Sequence, residues 1–401
     1  MLLLADHVIL GDGRTVLDRA GIQIDGAGRL GAVGPAEELL SRFAGEEVQD
    51  LGDASILPGL FDMHVHLGYY YSQPDREFYN DFMVACYAAK QARLALELGI
   101  TTVRDLSSPH GLCKALREAG EKGFIQVPRI IHTDAGICMS GGHGHQDGIE
   151  EADGPWAVRA AVRRQVRDGA DWIKILTSNR EDIPEFTQEE LNAAADECRR
   201  RNIKTAVHAG LQPAIQMCID AGFDTIEHGT LMTVEQARQM AQNGQAWTPT
   251  ITAYQYLWAQ CKDAQAPDPA DPIGARAFRE QAFFQRAAEA YQNNFKALYD
   301  TGVTVLAGSD MVLYGAPPLP IHRELAYMVE YGITPLQAIQ TATQNPARVL
   351  GLEEETGMLR PGLAADLLVV DGNPAQDIAA LDRVRRVYLA GTPVAGADFQ
   401  L

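Results

Sequence analysis

Residues 58–66, Pro58-Gly59-Leu60-Phe61-Asp62-Met63-His64-Val65-His66, run as an apolar segment that ends in two histidines. Side chains two apart on a strand share a face, so His64 and His66 project together from the strand's C-terminal end. Seven further strand-like segments follow at residues 99–105, 127–134, 171–177, 203–208, 223–228, 246–251 and 303–309. Helical patterns separate them, among them Asp81 to Leu98, Trp156 to Arg167, Gln188 to Arg201 and Val234 to Asn243. Eight strands alternating with helices over residues 57–358 predict an α/β fold, a (β/α)8 TIM barrel, whose chemistry sits at the strands' C-terminal ends. A doubly wound open sheet is the competitor, but no G-x-G-x-x-G follows the first strand.

The two ends of the chain read differently. Residues 1–56 alternate with period two around Gly-rich turns, as in His7-Val8-Ile9-Leu10 before Gly11-Asp12-Gly13, and residues 359–401 do the same around Leu367-Leu368-Val369-Val370. One small β-sandwich domain built from both termini is expected, packed beside the barrel.

A chain of 401 residues with 46% hydrophobic content has enough apolar material for so large a core. Its formal net charge of −19 argues against nucleic acid or an anionic membrane as partner. No apolar stretch is long enough for a membrane span, and Met1-Leu2-Leu3-Leu4-Ala5-Asp6 lacks the basic leader of a signal peptide. The six cysteines form no C-x-x-C pair and read as reduced thiols. A cytoplasmic, homo-oligomeric protein acting on a small molecule is expected.

Further chemistry-bearing residues fall at the same strand ends. Lys174 lies inside the apolar run Trp172-Ile173-Lys174-Ile175-Leu176, where an ammonium loses its hydration. It is either a lysine paired with an acid or an amine condensed with carbon dioxide into an anionic carbamate. His208 and His228 end the fifth and sixth strands, and Asp310 ends the eighth. Each alone has an ordinary explanation, a hydrogen-bonded histidine or a helix N-cap. The ordered set on strands one, four, five, six and eight is specific.

That set resembles the binuclear branch of the amidohydrolase superfamily. So do Ile56-Leu57-Pro58-Gly59-Leu60-Phe61-Asp62, Gly99-Ile100-Thr101-Thr102-Val103-Arg104-Asp105, and residues Gly357 to Pro374. The tracts Gly141-Gly142-His143-Gly144 and Ile226-Glu227-His228-Gly229 are similar to the imidazolonepropionase-related group that holds Xaa-Pro-type dipeptidases and ochratoxin-type amidases. The resemblance implies two divalent metals, one held by His64, His66 and Asp310, the other by His208 and His228, with carboxylated Lys174 bridging both. Zinc is the usual occupant, although the ligands would admit manganese, cobalt or iron. It also implies a substrate-binding, carbonyl-polarising role for His143. Tyr254, after strand seven, is a second substrate-contact candidate or an aromatic packed under its loop.

Such a site would hydrolyse an amide C–N bond with metal-activated water, Asp310 serving as base and then acid. A dipeptide or N-acyl amino acid would call for a cation, and Arg180 and Arg323 are the candidates. Arg104 and Asp105 read as a structural ion pair. The aromatic-rich segment Tyr69 to Phe82 and residues 252–275 read as irregular segments over the catalytic face. Two alternatives stay open. A mononuclear deaminase or cyclic-amide or lactone hydrolase on this fold would usually lack the lysine; deaminases often carry a glutamate after the fifth-strand histidine, where Ala209-Gly210-Leu211 stands. A catalytically dead scaffold would typically have lost ligands.

Overall fold

A computed structural model describes residues 1–69, 80–145, 149–177, 183–264, 272–310 and 321–396, with only the backbone of 272–279. The two ends of the chain meet in one sheet. Leu2–Ile9 pairs antiparallel with Val16–Ile24, and parallel with Val48–Asp50 and Ala54–Pro58. Ala54–Pro58 then pairs antiparallel with Leu367–Asp371, which carries Val384–Leu389 and Thr392–Ala395. The sheet is continuous across the two termini instead of being split into two separate sheets. Its alternation buries Leu3, Val8, Ile22, Ile24, Ile56, Leu367 and Val369 in a common core. In the first turn, Asp12 accepts backbone N–H bonds from Arg14 and Thr15, the local chemistry that makes aspartate a turn residue.

Between these ends lies a series of parallel strands: Leu60–Val65, Ile100–Asp105, Arg129–His132, Trp172–Leu176, Lys204–Ala209, Thr225–His228, Ala246–Thr248 and Thr304–Val305. They are counted below from first to eighth. The third is broken. Arg129–His132 pairs with the second strand, and the two-residue strand Ile137–Cys138 just beyond pairs with the fourth. Backbone hydrogen bonds also join the eighth strand to the first, from Met63 N–H to Ala307 O at 2.9 Å and from Asp310 N–H to His64 O at 2.7 Å. Gly308 permits that approach, since a Cβ there would come within 2.8 Å of His64 Cβ and 2.6 Å of Thr248 Cγ2.

Alternation decides which side chains turn away from the helices. Ile173, Ile175, Val207 and Ile226 face outward into the core shared with the helices, beside Val158, Val162, Leu191, Ile215 and Ile219. Trp172 and Ala206 pack together in a separate inner cluster with Leu106. Lys174, two residues from Trp172, therefore points inward. The helices Asp81–Glu97, Pro155–Asp168, Gln188–Arg200 and Val234–Asn243 fall within a residue or so of the expected spans. Thr187 with Glu190 and Thr233 with Gln236 form capping boxes, each satisfying two otherwise orphaned N–H groups.

One expectation is corrected. Of residues 252–275, those described are largely helical: Ile251–Cys261 is a helix, and another runs Pro272–Tyr299, while residues 265–271 lie outside the described residues. The seventh strand correspondingly stops at Thr248 instead of 251. The first of these helices begins where Glu324, from the helix Ile321–Glu330, accepts the N–H groups of Ile251 and Thr252 and the Thr252 hydroxyl at 2.9, 2.7 and 2.8 Å. A carboxylate from a remote segment supplies the cap, so the local sequence holds no start signal. Among the described residues no helix is long and apolar enough to cross a membrane.

Candidate metal centre

His64 and His66 stand at the end of the first strand, almost wholly buried, with ring centroids 5.2 Å apart. Each ring is held by its Nδ1. That of His64 lies 2.9 Å from Glu227 Oε2, and that of His66 lies 2.9 Å from the Ser107 carbonyl oxygen. Acceptors of this kind assign the proton to Nδ1 and leave Nε2 a free lone pair. The two Nε2 atoms face Asp310 Oδ1, at 3.7 Å from His64 and 3.3 Å from His66.

The Lys174 side chain is 1% exposed, and its Nζ has no hydrogen-bond partner. Leaving a buried ammonium without acceptors is among the costliest arrangements available to a protein. Burial lowers its pKa to about 8, against the pull of Glu227 and Asp310, and its charge bears on His64, His208 and His228. An orphaned amine amid imidazoles, its pKa brought down toward neutrality by burial, suits the condensation with carbon dioxide that a metal-bridging carbamate requires, so the residues fit the group.

His208 and His228 end the fifth and sixth strands with ring centroids 4.4 Å apart, and His228 also lies 4.9 Å from His64. Burial pushes His64 and His208 well below the usual imidazole range and His228 to about 3, which keeps the rings in the neutral form that binds metal. Burial would raise the Asp310 carboxyl, but His64, His66 and His228 outweigh it and hold it well below its ordinary value. Ligand atoms of His64, His228 and Asp310 lie within 4.8 Å of one another. That compact group takes one histidine from each pair expected to hold a separate metal.

Three residues at this site carry left-handed backbone. His228, Asp310 and Thr250 adopt φ of +66°, +54° and +52°, values uncommon outside glycine. The surroundings hold them there. Thr250 Oγ1 lies 2.7 Å from His228 Nδ1, while the His228 carbonyl accepts from Trp247 Nε1 at 2.7 Å and the Tyr291 hydroxyl at 3.1 Å. Strain sustained by neighbouring contacts is a mark of functional sites.

His143 stacks against His208 with centroids 4.2 Å apart, and its backbone N–H donates to Glu185 at 2.9 Å. Tyr254, on the helix Ile251–Cys261, meets His228 edge-on at 5.6 Å.

Comparison with known proteins agrees with this geometry. Residues 55–394 match the amidohydrolase family. The chain belongs to that family. Similar amidohydrolases include the ochratoxinase of Aspergillus niger, 29% identical over 374 residues that cover 83% of this chain and 73% of that protein. The imidazolonepropionase of Geobacillus kaustophilus is 26% identical over 391 residues, covering 88% of this chain and 84% of its own. A solved Xaa-Pro dipeptidase structure with bound methionine superposes with a TM-score of 0.85 at 31% identity, covering 98% of each chain. Amidohydrolase membership makes the protein a hydrolase of a family that is usually metal-dependent.

The six candidate ligands of this amidohydrolase therefore converge at one end of its strands, with His143 and Tyr254 beside them. Other candidates do not join them. Arg104 and Asp105 are not a pair: neighbours on a strand face opposite ways. Arg104 turns inward to Glu227 at 2.9 Å, whereas Asp105 accepts from the Leu67 N–H and the Ser108 hydroxyl. Arg323 is exposed and lies over the Tyr327 ring, 4.3 Å from its centroid. Arg180 and residues 70–79 of the aromatic-rich segment lie outside the described residues. Of that segment, Tyr69 stacks on His66 at 4.5 Å and Phe82 is exposed. Glu227 was not anticipated. Its signal was an acid inside Thr225-Ile226-Glu227-His228, a strand with no other charge.

Proposed function

We propose that this protein hydrolyses the amide C–N bond of a small molecule, a dipeptide or an amino acid N-acylated by an alkyl or aryl acid, at two divalent metals. The reading takes the fold as a closed (β/α)8 barrel, in keeping with the hydrogen bonds that join the eighth strand to the first. The terminal sheet is read as a β-sandwich-type domain of residues 1–56 and 359–401. The unpartnered Lys174 amine carries the proposal. Addition of that amine to carbon dioxide, with loss of a proton, gives a carbamate whose two oxygens can each hold a cation.

His64, His66 and Asp310 would hold one metal and His208 and His228 the other, zinc being the expected occupant. When bound, the metals supply a water acidic enough to attack near neutral pH and polarise the scissile carbonyl. The chain's own residues do the rest. Asp310, an ionised carboxylate at the site, would take the proton released in attack and hand it to the departing amine. His143, which stacks on His208, would donate to the carbonyl oxygen. Tyr254 and Tyr69 form apolar walls beside the imidazoles. The similar ochratoxinase and Xaa-Pro dipeptidase support an amide of an amino acid as substrate.

A one-metal reading, a deaminase or a cyclic-amide or lactone hydrolase, has support of its own in the compact group His64, His228 and Asp310. Zinc-loaded protein incubated with Xaa-Pro dipeptides and N-acyl and N-aroyl amino acids, and separately with amino-substituted heterocycles, cyclic amides and lactones, separates the two. Release of a free amino acid is expected. Ammonia release or lactone opening without amide turnover would favour the one-metal reading.

A further inference from the structure

The geometry points to Glu227 as the positioning residue that sets His64 for metal, with Arg104 as its counter-ion; this rests on the metal-centre reading above. Glu227 Oε2 accepts from His64 Nδ1 at 2.9 Å, and Oε1 accepts from Arg104 Nη2 at 2.9 Å and from the Thr225 hydroxyl. Every nitrogen of the guanidinium is engaged, Nε donating to the Met63 carbonyl at 2.8 Å and Nη1 to Thr225 Oγ1 at 3.1 Å, and the group lies 4.7 Å from the Trp172 ring centroid. Arg104 and Glu227 are both 0% exposed. They come from the second and sixth strands, so the pair spans the interior of the ring and ends on the imidazole of the first strand.

A buried ion pair is a poor device for stability, because removing two charges from water cancels most of their attraction. This pair does something an apolar filling could not. A carboxylate can only accept from Nδ1, so it fixes that tautomer, orients the ring and makes the Nε2 lone pair more basic toward a cation. His66 leans on a backbone carbonyl and His228 on a threonine hydroxyl, whereas His64 has a full negative charge behind it.

The test is zinc affinity, read by chelator competition on the full chain, with apo-protein melts as the check on folding. Glu227→Gln keeps the shape but removes the charge, and should weaken zinc binding 10- to 100-fold. Excess zinc should then restore much of the occupancy. Wild-type affinity in a folded Glu227→Gln protein would overturn the proposal and leave the pair merely structural. Should that variant not fold, the double variant Arg104→Met/Glu227→Gln leaves no orphan charge and decides by the same measurement: weakened zinc binding upholds the proposal and wild-type affinity overturns it. A wild-type protein that takes up no zinc would instead overturn the metal-centre reading itself.

Discussion

Ser309 donates its backbone N–H to Asp62 Oδ1 at 2.9 Å and its hydroxyl to Asp62 Oδ2, locking the eighth strand against the first. The same Oδ1 accepts the His64 N–H at 3.2 Å. One buried carboxylate thus sets the backbone on both sides of the seam from which His64, His66 and Asp310 project. Burial raises the Asp62 carboxyl to about 7 despite these bonds, so each of them matters to it. Ser309→Ala should cost about 1–3 kcal/mol, the penalty for stripping a buried polar group of a partner, and lower kcat by displacing Asp310. Urea denaturation reads the first effect. An unchanged midpoint would remove the lock from the account.

Lys174→Ala should lose bound metal and activity together, while the fold survives the loss of an unpartnered amine. Short carboxylic acids, added at high concentration, should restore part of both by standing in for the carbamate. Wild-type turnover in the variant without additives would refute the bridge.

Asp310→Asn should lower kcat by about 10²–10⁴-fold, the usual worth of a general acid–base group, with a far smaller change in KM. Steady-state kinetics on metal-loaded variant protein checks this. A kcat near that of the wild type would take Asp310 out of proton transfer.

Glu324 gives a pH prediction away from the centre. Burial raises its carboxyl from 4.5 to about 7, outweighing the bonds from Thr252 and Ile251 that oppose the shift. Between those two values the folded chain binds more protons at this site than the unfolded chain, so its contribution to stability falls as pH rises and levels off above about 7. The loss is on the order of 3 kcal/mol. Relative to Glu324→Gln, the wild type should therefore be favoured near pH 4.5 and lose that advantage by pH 7. Parallel stability profiles for the two proteins would contradict it.

The sequence showed its fold most clearly where periodicity and punctuation agree. Helices such as Gln188–Arg200 and Val234–Asn243 carry capping boxes at their starts, and their spans were legible within a residue or so. The metal-centre candidates were legible for a different reason. His64, His66, Lys174, His208, His228 and Asp310 are charged or polar groups at the ends or in the interior of apolar strands, where each stands out.

Tertiary partners were not legible. Ile251–Cys261 is rich in β-branched and aromatic residues, which are indifferent helix formers, and its cap comes from Glu324 far along the chain. Arg104 sits beside Asp105 in sequence and bonds Glu227 of the sixth strand instead, because strand alternation turns neighbours to opposite faces and the fold brings distant strands together. Glu227 itself was hidden by the histidine next to it.

The central claim is that six side chains, a carboxylated Lys174 among them, hold two cations. Elemental analysis of the purified full chain, after removal of loosely bound ions, tests it most directly. Two equivalents of divalent metal per chain are expected, falling together in Lys174→Ala. One equivalent, or none, in the wild-type protein would contradict the account.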